Sequence, residues 1–284
     1  MALVLGLCAT YVAIVGLLWA FQERITFPAP RGAVPDPRVV LGFGERIELT
    51  MQNGTRLAGW YLPAVDKAAV GETAVRETTG AAALLWFYGN GETISAIWPI
   101  LRDFQPPGTA LLVVDYPGYG ASGGKTTEAG IYEAGALAYQ SLASRPEVDS
   151  SRIYVYGRSL GTVPATRVAA DHPVAGLILE SPFTNARDMA ARHYRIVPGF
   201  LVRLKLDNLA TIGRVHCPVL IFHGTADRIV PIDLGRRLAE AVPGPVEFVM
   251  IEGAGHNETY DAGGNAYREK FWTFVRGSDH HHRD

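Results

Sequence analysis

Ser159 lies in Gly157-Arg158-Ser159-Leu160-Gly161, a match to G-x-S-x-G. In such a stretch a serine stands on a sharp strand-to-helix corner, its hydroxyl pushed out above a sheet where it can attack an acyl carbon. The two glycines answer a steric demand. Where the backbone folds back on itself, a side chain at either position crowds the neighbouring strand or helix. A helix N-terminus behind the serine also favours developing negative charge. A serine hydroxyl is a weak nucleophile unaided. It needs a base, an acid that orients the base, and donors for the oxyanion.

His256, in Glu252-Gly253-Ala254-Gly255-His256-Asn257-Glu258, is the candidate base. Flexible glycines let that loop return an imidazole over a sheet; an ordinary loop histidine is the bland alternative. Asp227, in His223-Gly224-Thr225-Ala226-Asp227, is the candidate acid, although this stretch also suits a turn or capping aspartate. Glu180 competes for the same role, and Asp233 reads as the cap of the helix after it. The oxyanion donors are expected from backbone N–H groups, one on Leu160 and one on Asn90 in the turn Tyr88-Gly89-Asn90-Gly91-Glu92. Residues 115–124, rich in glycine, read as a structural loop, and Ser122 within it has no elbow around it. No metal-ligand spacing appears and no cofactor is expected. His280-His281-His282 falls in a tail, 278–284, read as solvated and disordered.

The elements that must position these residues follow from the apolar pattern. Alternating runs at 45–51 and 55–62 flank Asn53-Gly54, a strong hairpin signal. A polar stretch at 66–80 reads as a surface loop. From residue 81 onward, short apolar strands (82–88, 109–115, 152–156, 175–180, 218–223 and 246–251) alternate with helical stretches (93–104, 127–143, 160–170, 233–241 and 265–276). That alternation predicts an α/β fold: a mostly parallel sheet with an antiparallel N-terminal hairpin and helices on both faces. Ligands of such sheets bind beyond the carboxyl ends of the strands, where Ser159, Asp227, His256 and Asn90 fall. Residues 184–216 are too short for a second domain and read as a lid, which either lines an acyl pocket or packs on the sheet.

Residues 2–21 carry no charge, a length of about 30 Å as a helix, which matches a hydrocarbon core. A single-pass transmembrane anchor over 1–22 is the preferred reading; a cleaved signal peptide and a buried globular helix are the rivals. The start lacks Lys or Arg and no A-x-A-like site follows, which argues against the signal peptide. Arg24, Arg31 and Arg38 follow the helix, which leans the domain toward the cytoplasmic side of the membrane. Residues 23–44 read as a proline-rich linker and 45–277 as the folded domain. Acid and base are interspersed at a net charge of −2, so no nucleic-acid partner is expected. Cys8 and Cys217 fall in unrelated elements and imply no disulfide.

Taken together, residues 45–276 resemble an α/β-hydrolase, of the small membrane-anchored, single-domain kind that includes depalmitoylase-like α/β-hydrolase-domain proteins. The resemblance rests on Tyr88-Gly89-Asn90-Gly91, Asp115-Tyr116-Pro117-Gly118-Tyr119-Gly120, Gly157-Arg158-Ser159-Leu160-Gly161, Glu180-Ser181-Pro182-Phe183, His223-Gly224-Thr225-Ala226-Asp227 and Gly255-His256. The order Ser159, Asp227, His256 is the nucleophile–acid–base order of that superfamily. It implies a serine hydrolase cleaving carboxylic esters or thioesters through an acyl-enzyme, and the expected membrane anchor nearby adds lipid acyl esters and thioesters to the candidate substrates. Tyr88, Phe183 and Tyr194 are the candidate substrate contacts. A serine peptidase of aminopeptidase type is the alternative chemistry, although no acidic pair for a free amino terminus stands out. A non-catalytic, membrane-tethered binding protein on the same fold is the alternative class. Dehalogenase chemistry needs an aspartate where this chain has Ser159. One departure stands: the oxyanion loop of this family usually begins His-Gly, and here it begins Tyr88-Gly89. Its support must therefore differ.

Overall fold

The computed structural model describes residues 1–65 and 80–276. Apart from Gly80, the loop expected over 66–80 lies outside the described residues. So do residue 277 and the tail with its three histidines.

Eight strands form one sheet: β1 (Glu45–Thr50), β2 (Arg56–Leu62), β3 (Ala81–Phe87), β4 (Thr109–Val114), β5 (Val148–Arg158), β6 (Gly176–Glu180), β7 (Val219–Gly224) and β8 (Val246–Ile251). Their spatial order is β1-β2-β4-β3-β5-β6-β7-β8. The β1–β2 hairpin and the β2–β4 pair are antiparallel; all other pairs are parallel. β3 and β4 are buried at every residue, as continuous apolar runs must be when helices cover both faces. α5 (Glu128–Ala143) and α6 (Thr162–Asp171) pack together over Phe87 of β3 on one face. α4 (Ile94–Phe104) and α10 (Thr259–Arg276) cover the other, where Trp86, Phe104, Tyr156 and Phe271 form an aromatic cluster. α9 (Ile232–Glu240) lies along β7 and β8.

Two elements differ from the pattern-based expectation for identifiable reasons. β5 begins at Val148, four residues before its apolar run, because Val148 already pairs with Ala81; the register then shifts across polar Asp149, Ser150 and Ser151, and regular pairing resumes at Ile153 opposite Ala83. α10 begins at Thr259 rather than Asn265, but its course is broken at Gly264 (φ 52°, ψ −135°). Sequence periodicity detects only the part after the break.

The N-terminal 44 residues are more ordered than a linker. α1 (Ala2–Ala20) is followed by α2 (Gln22–Thr26) and α3 (Pro37–Val40). Phe27, Val34 and Pro37 are buried, the Gly120 N–H donates to Pro30 O, and the Trp60 indole donates to Pro35 O. These apolar side chains dock the 23–44 segment on the domain. α1 itself is long and apolar enough to cross a membrane, with a mean hydropathy of 2.2, and only Val15 of it is buried.

The lid, 184–216, contains α7 (Ala186–His193), a 3-10 turn (Gly199–Leu201) and α8 (Asn208–Ile212). Residues 205–208 pin it to the first turn of α6 and to α5. Asn208 Nδ2 donates to Thr162 Oγ1 and Phe183 O, and the Glu128 carboxylate accepts from Lys205 N and Leu206 N. Asp233, read as a helix cap, makes no capping bond; it sits in the first turn of α9 and pairs with Arg192 of the lid.

Candidate active site

Ser159 stands between β5 and α6 with φ 51°, a left-handed conformation uncommon outside glycine. The flanking glycines make that corner possible. A Cβ on Gly157 would overlap the Gly161 carbonyl oxygen, and one on Gly161 would overlap the Phe87 carbonyl oxygen. Ser159 Oγ lies 2.9 Å from His256 Nε2, and His256 Nδ1 lies 2.8 Å from Asp227 Oδ2. A carboxylate can only accept, so the imidazole carries its proton on Nδ1 and leaves Nε2 to accept from the serine.

Asp227 bonds both to its own turn and to the imidazole. Its Oδ1 accepts from Ile229 N (2.9 Å) and Val230 N (2.8 Å), tying the turn, while Oδ2 faces the imidazole. Burial works to raise this carboxyl, but the bond to His256, its charge and the Val230 N–H outweigh it and hold the group below its ordinary value of 3.8. Glu180 does not reach His256 as its orienting acid. It accepts from the Tyr156 and Tyr267 hydroxyls (2.6 Å each) and from Thr259, and it faces Arg158 Nε at 3.3 Å.

Two amides near Ser159 are the candidates for the oxyanion position the elbow chemistry requires. Leu160 N–H belongs to the first turn after Ser159, where a helix leaves its amides without intrahelical acceptors. Asn90 N–H has no acceptor among the described residues, whereas the neighbouring Gly89 N–H is taken by Glu92 Oε2 at 2.6 Å. The Asn90 side chain is fixed on both sides: Nδ2 donates to Thr26 O, and Oδ1 accepts from the Tyr119 hydroxyl, each at 2.6 Å.

That loop rests on phenols. The Tyr88 hydroxyl donates to Asp115 Oδ1 (2.9 Å) and accepts from Tyr116 N (3.1 Å), and the Tyr116 hydroxyl donates back to Tyr88 O (2.8 Å). Burial drives the Tyr88 phenol well above its ordinary pKa and raises the Asp115 carboxyl, so Tyr88 stays a donor. Tyr88 borders a cavity, but it is 1% exposed and its hydroxyl is committed. Its placement suits support of the loop better than the substrate contact expected for it. Ser122 is likewise committed, donating to Asp115 O and accepting from Ala58 N.

Arg158 was not singled out by its sequence position. Its guanidinium reaches Glu92 Oε1 (2.6 Å) beside the oxyanion loop, Glu180 at the end of β6, and both His256 O (3.2 Å) and Asn257 Oδ1 (2.6 Å) in the base loop. Burial disfavours its charge, but Glu180 and Glu92 outweigh burial and raise its pKa. One side chain thus ties together the loop after β3, the end of β6 and the loop after β8. The only sequence signal is a charged residue inside an elbow, directly after the uncharged stretch 153–157.

Two cavities meet at Ser159. The first, about 570 Å³, runs over Arg158, Glu92, Glu180 and Tyr260 above the aromatic cluster. The second, about 580 Å³, runs under the lid past Phe183, Met189, Tyr194 and Leu206. Phe183 and Tyr194 therefore share one wall, while Tyr88 borders the other cavity. Among the described residues no cluster of three or more metal-ligating side chains occurs.

A parallel sheet with this strand order, a serine elbow and an N-terminal antiparallel hairpin define a hydrolase architecture, and the chain belongs to the α/β-hydrolase superfamily. The family described as "Serine aminopeptidase, S33" matches residues 79–210, a span that contains Ser159 but neither Asp227 nor His256. An uncharacterized protein of Mycobacterium tuberculosis is 34% identical over 250 residues, covering 86% of this chain and 84% of the relative. Human alpha/beta hydrolase domain-containing protein 17B is 37% identical over 161 residues, covering 57% of this chain and 54% of its own. Among solved structures, an esterase of Pyrococcus furiosus superposes with a TM-score of 0.70 at 19% identity, covering 88% of this chain and 97% of the esterase. A puromycin-hydrolyzing peptidase of M. tuberculosis superposes with a TM-score of 0.68 at 18% identity, covering 82% of this chain and 39% of the peptidase. At these identities the solved structures establish the fold alone.

Proposed function

We propose that the protein is a serine hydrolase that cleaves carboxylic esters or thioesters through an acyl-enzyme. The carrying observation is the Ser159–His256–Asp227 chain of hydrogen bonds, at 2.9 and 2.8 Å, where two cavities meet. His256 Nε2 takes the proton as Ser159 Oγ bonds to the acyl carbon. Asp227 holds the Nδ1–H tautomer and stabilises the imidazolium. Leu160 and Asn90 N–H groups hold the oxyanion. The bond to the alcohol or thiol then breaks, and His256 returns the proton to the leaving atom. Water, losing a proton to the same nitrogen, attacks the acyl-serine; the acid leaves and the proton goes back to Ser159. The cavity under the lid, with its apolar lining, takes the acyl part. The cavity over Arg158 takes the leaving group. α1 serves as a single-pass membrane anchor, residues 45–277 form the hydrolase domain, and the domain faces the cytoplasm.

The test is hydrolysis of p-nitrophenyl butyrate by wild type and Ser159→Ala. The variant is expected to lose turnover by about 10⁴-fold or more. Turnover at the wild-type level in Ser159→Ala would remove the serine from the mechanism. Labelling of Ser159 by a fluorophosphonate separates this reading from that of a binding protein, which has no need of an activated serine.

Aminopeptidase chemistry is favoured by the description of the matching family and, in the site, by Glu92 and Glu180, which both line the cavity over Arg158. Each is bonded to Arg158, however, which leaves neither carboxylate free to hold a substrate ammonium. Turnover of an aminoacyl p-nitroanilide exceeding that of the ester would reverse the order of these readings.

A further inference from the structure

The cavity under the lid has a wall that lies outside the hydrolase domain. Leu18 in the last turn of α1, and Gln22, Ile25 and Thr26 of α2, line it opposite Met189 and Val197 of the lid. Hydrogen bonds hold this wall in register. Gln22 Nε2 donates to Leu201 O (2.6 Å), its Oε1 accepts from Arg203 N (2.8 Å), and the Arg203 guanidinium lies 4.6 Å from the Trp19 ring centre. Farther up, the Tyr11 hydroxyl donates to Ile196 O at 2.8 Å. Tyr11 precedes the end of α1 by roughly 14 Å of helical rise. The lid therefore runs alongside α1 for about half its length; it does not sit beyond the helix end.

The lid stretch that reaches Tyr11 exposes its own apolar side chains: Tyr194 (47%), Ile196 (58%) and Phe200 (80%). Single exposed apolar residues are ordinary. Here they adjoin a helix whose apolar side chains are mostly exposed, with only Val15 buried, and an apolar surface that extensive marks a membrane or partner contact. A helix made to dock on a protein carries one apolar stripe, whereas α1 is apolar all round. Exposed Arg24, Arg195 and Arg203 border the patch, and their long stems let guanidinium groups reach lipid headgroups.

We propose that α1, α2 and the lid enter the bilayer as one surface, and that the groove between them takes a long acyl chain sideways from the leaflet to Ser159. The anchor is thus one wall of the substrate site, and Leu18 and Ile25 set chain-length selectivity. This inference rests on the reading of Ser159 as the residue that accepts the acyl group.

The test uses the full-length chain in phosphatidylcholine vesicles. It reads the ratio of kcat/KM for p-nitrophenyl palmitate dispersed in those vesicles to kcat/KM for p-nitrophenyl acetate in the surrounding buffer. Leu18→Trp fills the groove from α1, and Ile25→Trp fills it from α2, so either suffices if the other does not fold. The ratio is expected to fall at least tenfold in each folded variant. An unchanged ratio, including a parallel loss on both substrates, overturns the proposal and leaves the face to a protein partner. Acetate turnover that is abolished by Ser159→Ala, together with an unchanged ratio, would spare the serine mechanism and remove only the groove. A wild type that hydrolyses neither ester removes the serine mechanism first and the groove with it.

Discussion

The two sides of the cleft at Ser159 are built on opposite physical principles. On the sheet side, polar groups are bonded in sequence: Ser159 to His256, His256 to Asp227, and Arg158 to Glu92, Glu180, His256 and Asn257. On the lid side, shape and apolar surface prevail, and a few bonds such as Gln22 to Leu201 and Arg203 set the register of α2 against the lid. A hydrogen-bonded chain fixes atoms to a few tenths of an ångström, which chemistry requires. An apolar wall fixes only what fits, which is what selection among acyl groups requires. Damage on the sheet side is therefore expected in kcat, and damage on the lid side in the preference among substrates.

The sharpest way to break this contrast is to remove one donor from the sheet side without touching the triad. Asn90→Pro deletes the N–H assigned to the oxyanion, and kcat on p-nitrophenyl butyrate should fall by about 10²–10³-fold. Asn90→Ala keeps the N–H and loses only the side-chain bonds to Thr26 O and Tyr119, so its loss should be markedly smaller. Equal losses in steady-state kinetics would assign Asn90 to loop support alone and empty this half of the oxyanion site.

Arg158 offers a subtler cut. It touches the oxyanion loop and the base loop at once, so it acts as a positioning residue. Lysine keeps the charge but cannot supply the planar fork that meets several acceptors. Arg158→Lys should lower kcat by up to about 10²-fold, the order expected of a misplacement near 1 Å, with little change in KM. A rise in KM at constant kcat would place Arg158 in leaving-group binding and blur the contrast between the two sides.

The same contrast explains how much could be read from the chain. Ser159, Asp227 and His256 announce themselves because each sits in a glycine-bearing loop at a strand end, and both the loops and the strands have recognisable patterns. The sheet was legible for the same reason: β3, β4, β6 and β7 are apolar runs, interrupted only near their ends by Thr109, Glu180 and His223. The Arg158 clamp was not legible, since its partners Glu92, Glu180 and Asn257 come from two loops and a strand end that only the folded sheet brings together. The groove under the lid was not legible either. Met189, Val197 and Leu204 read alike whether they line a cavity or pack on a sheet, and nothing in residues 2–26 distinguishes an anchor from an anchor that is also a wall. The linker reading of 23–44 failed to anticipate docking because the apolar residues that dock it, Phe27 and Val34, follow neither period 2 nor period 3.6.

The smallest effect tests whether the sheet side also carries the response of the fold to pH. His223 is fully buried beneath Asp227, which it faces at 3.6 Å, with Gly235 of α9 against its ring and Phe248 of β8 stacked on it. Its Nε2–H donates to Val230 O at 2.8 Å, on the turn that Asp227 also ties. Burial lowers its pKa below the ordinary 6.5; the Val230 bond and Asp227 oppose the shift without cancelling it, and His256 adds to it. The unfolded chain therefore binds a proton at this histidine before the folded one does. Stability from this group is complete above pH 6.5 and is lost as pH falls from there through the folded value. His223→Gln can still donate to Val230 O but does not titrate. The decline in Tm from pH 7 to pH 5.5 should be shallower in the variant than in wild type, even though its Tm at pH 7 is lower. Parallel Tm curves would show that acid sensitivity resides elsewhere, and would leave the sheet side distinguished by its chemistry alone.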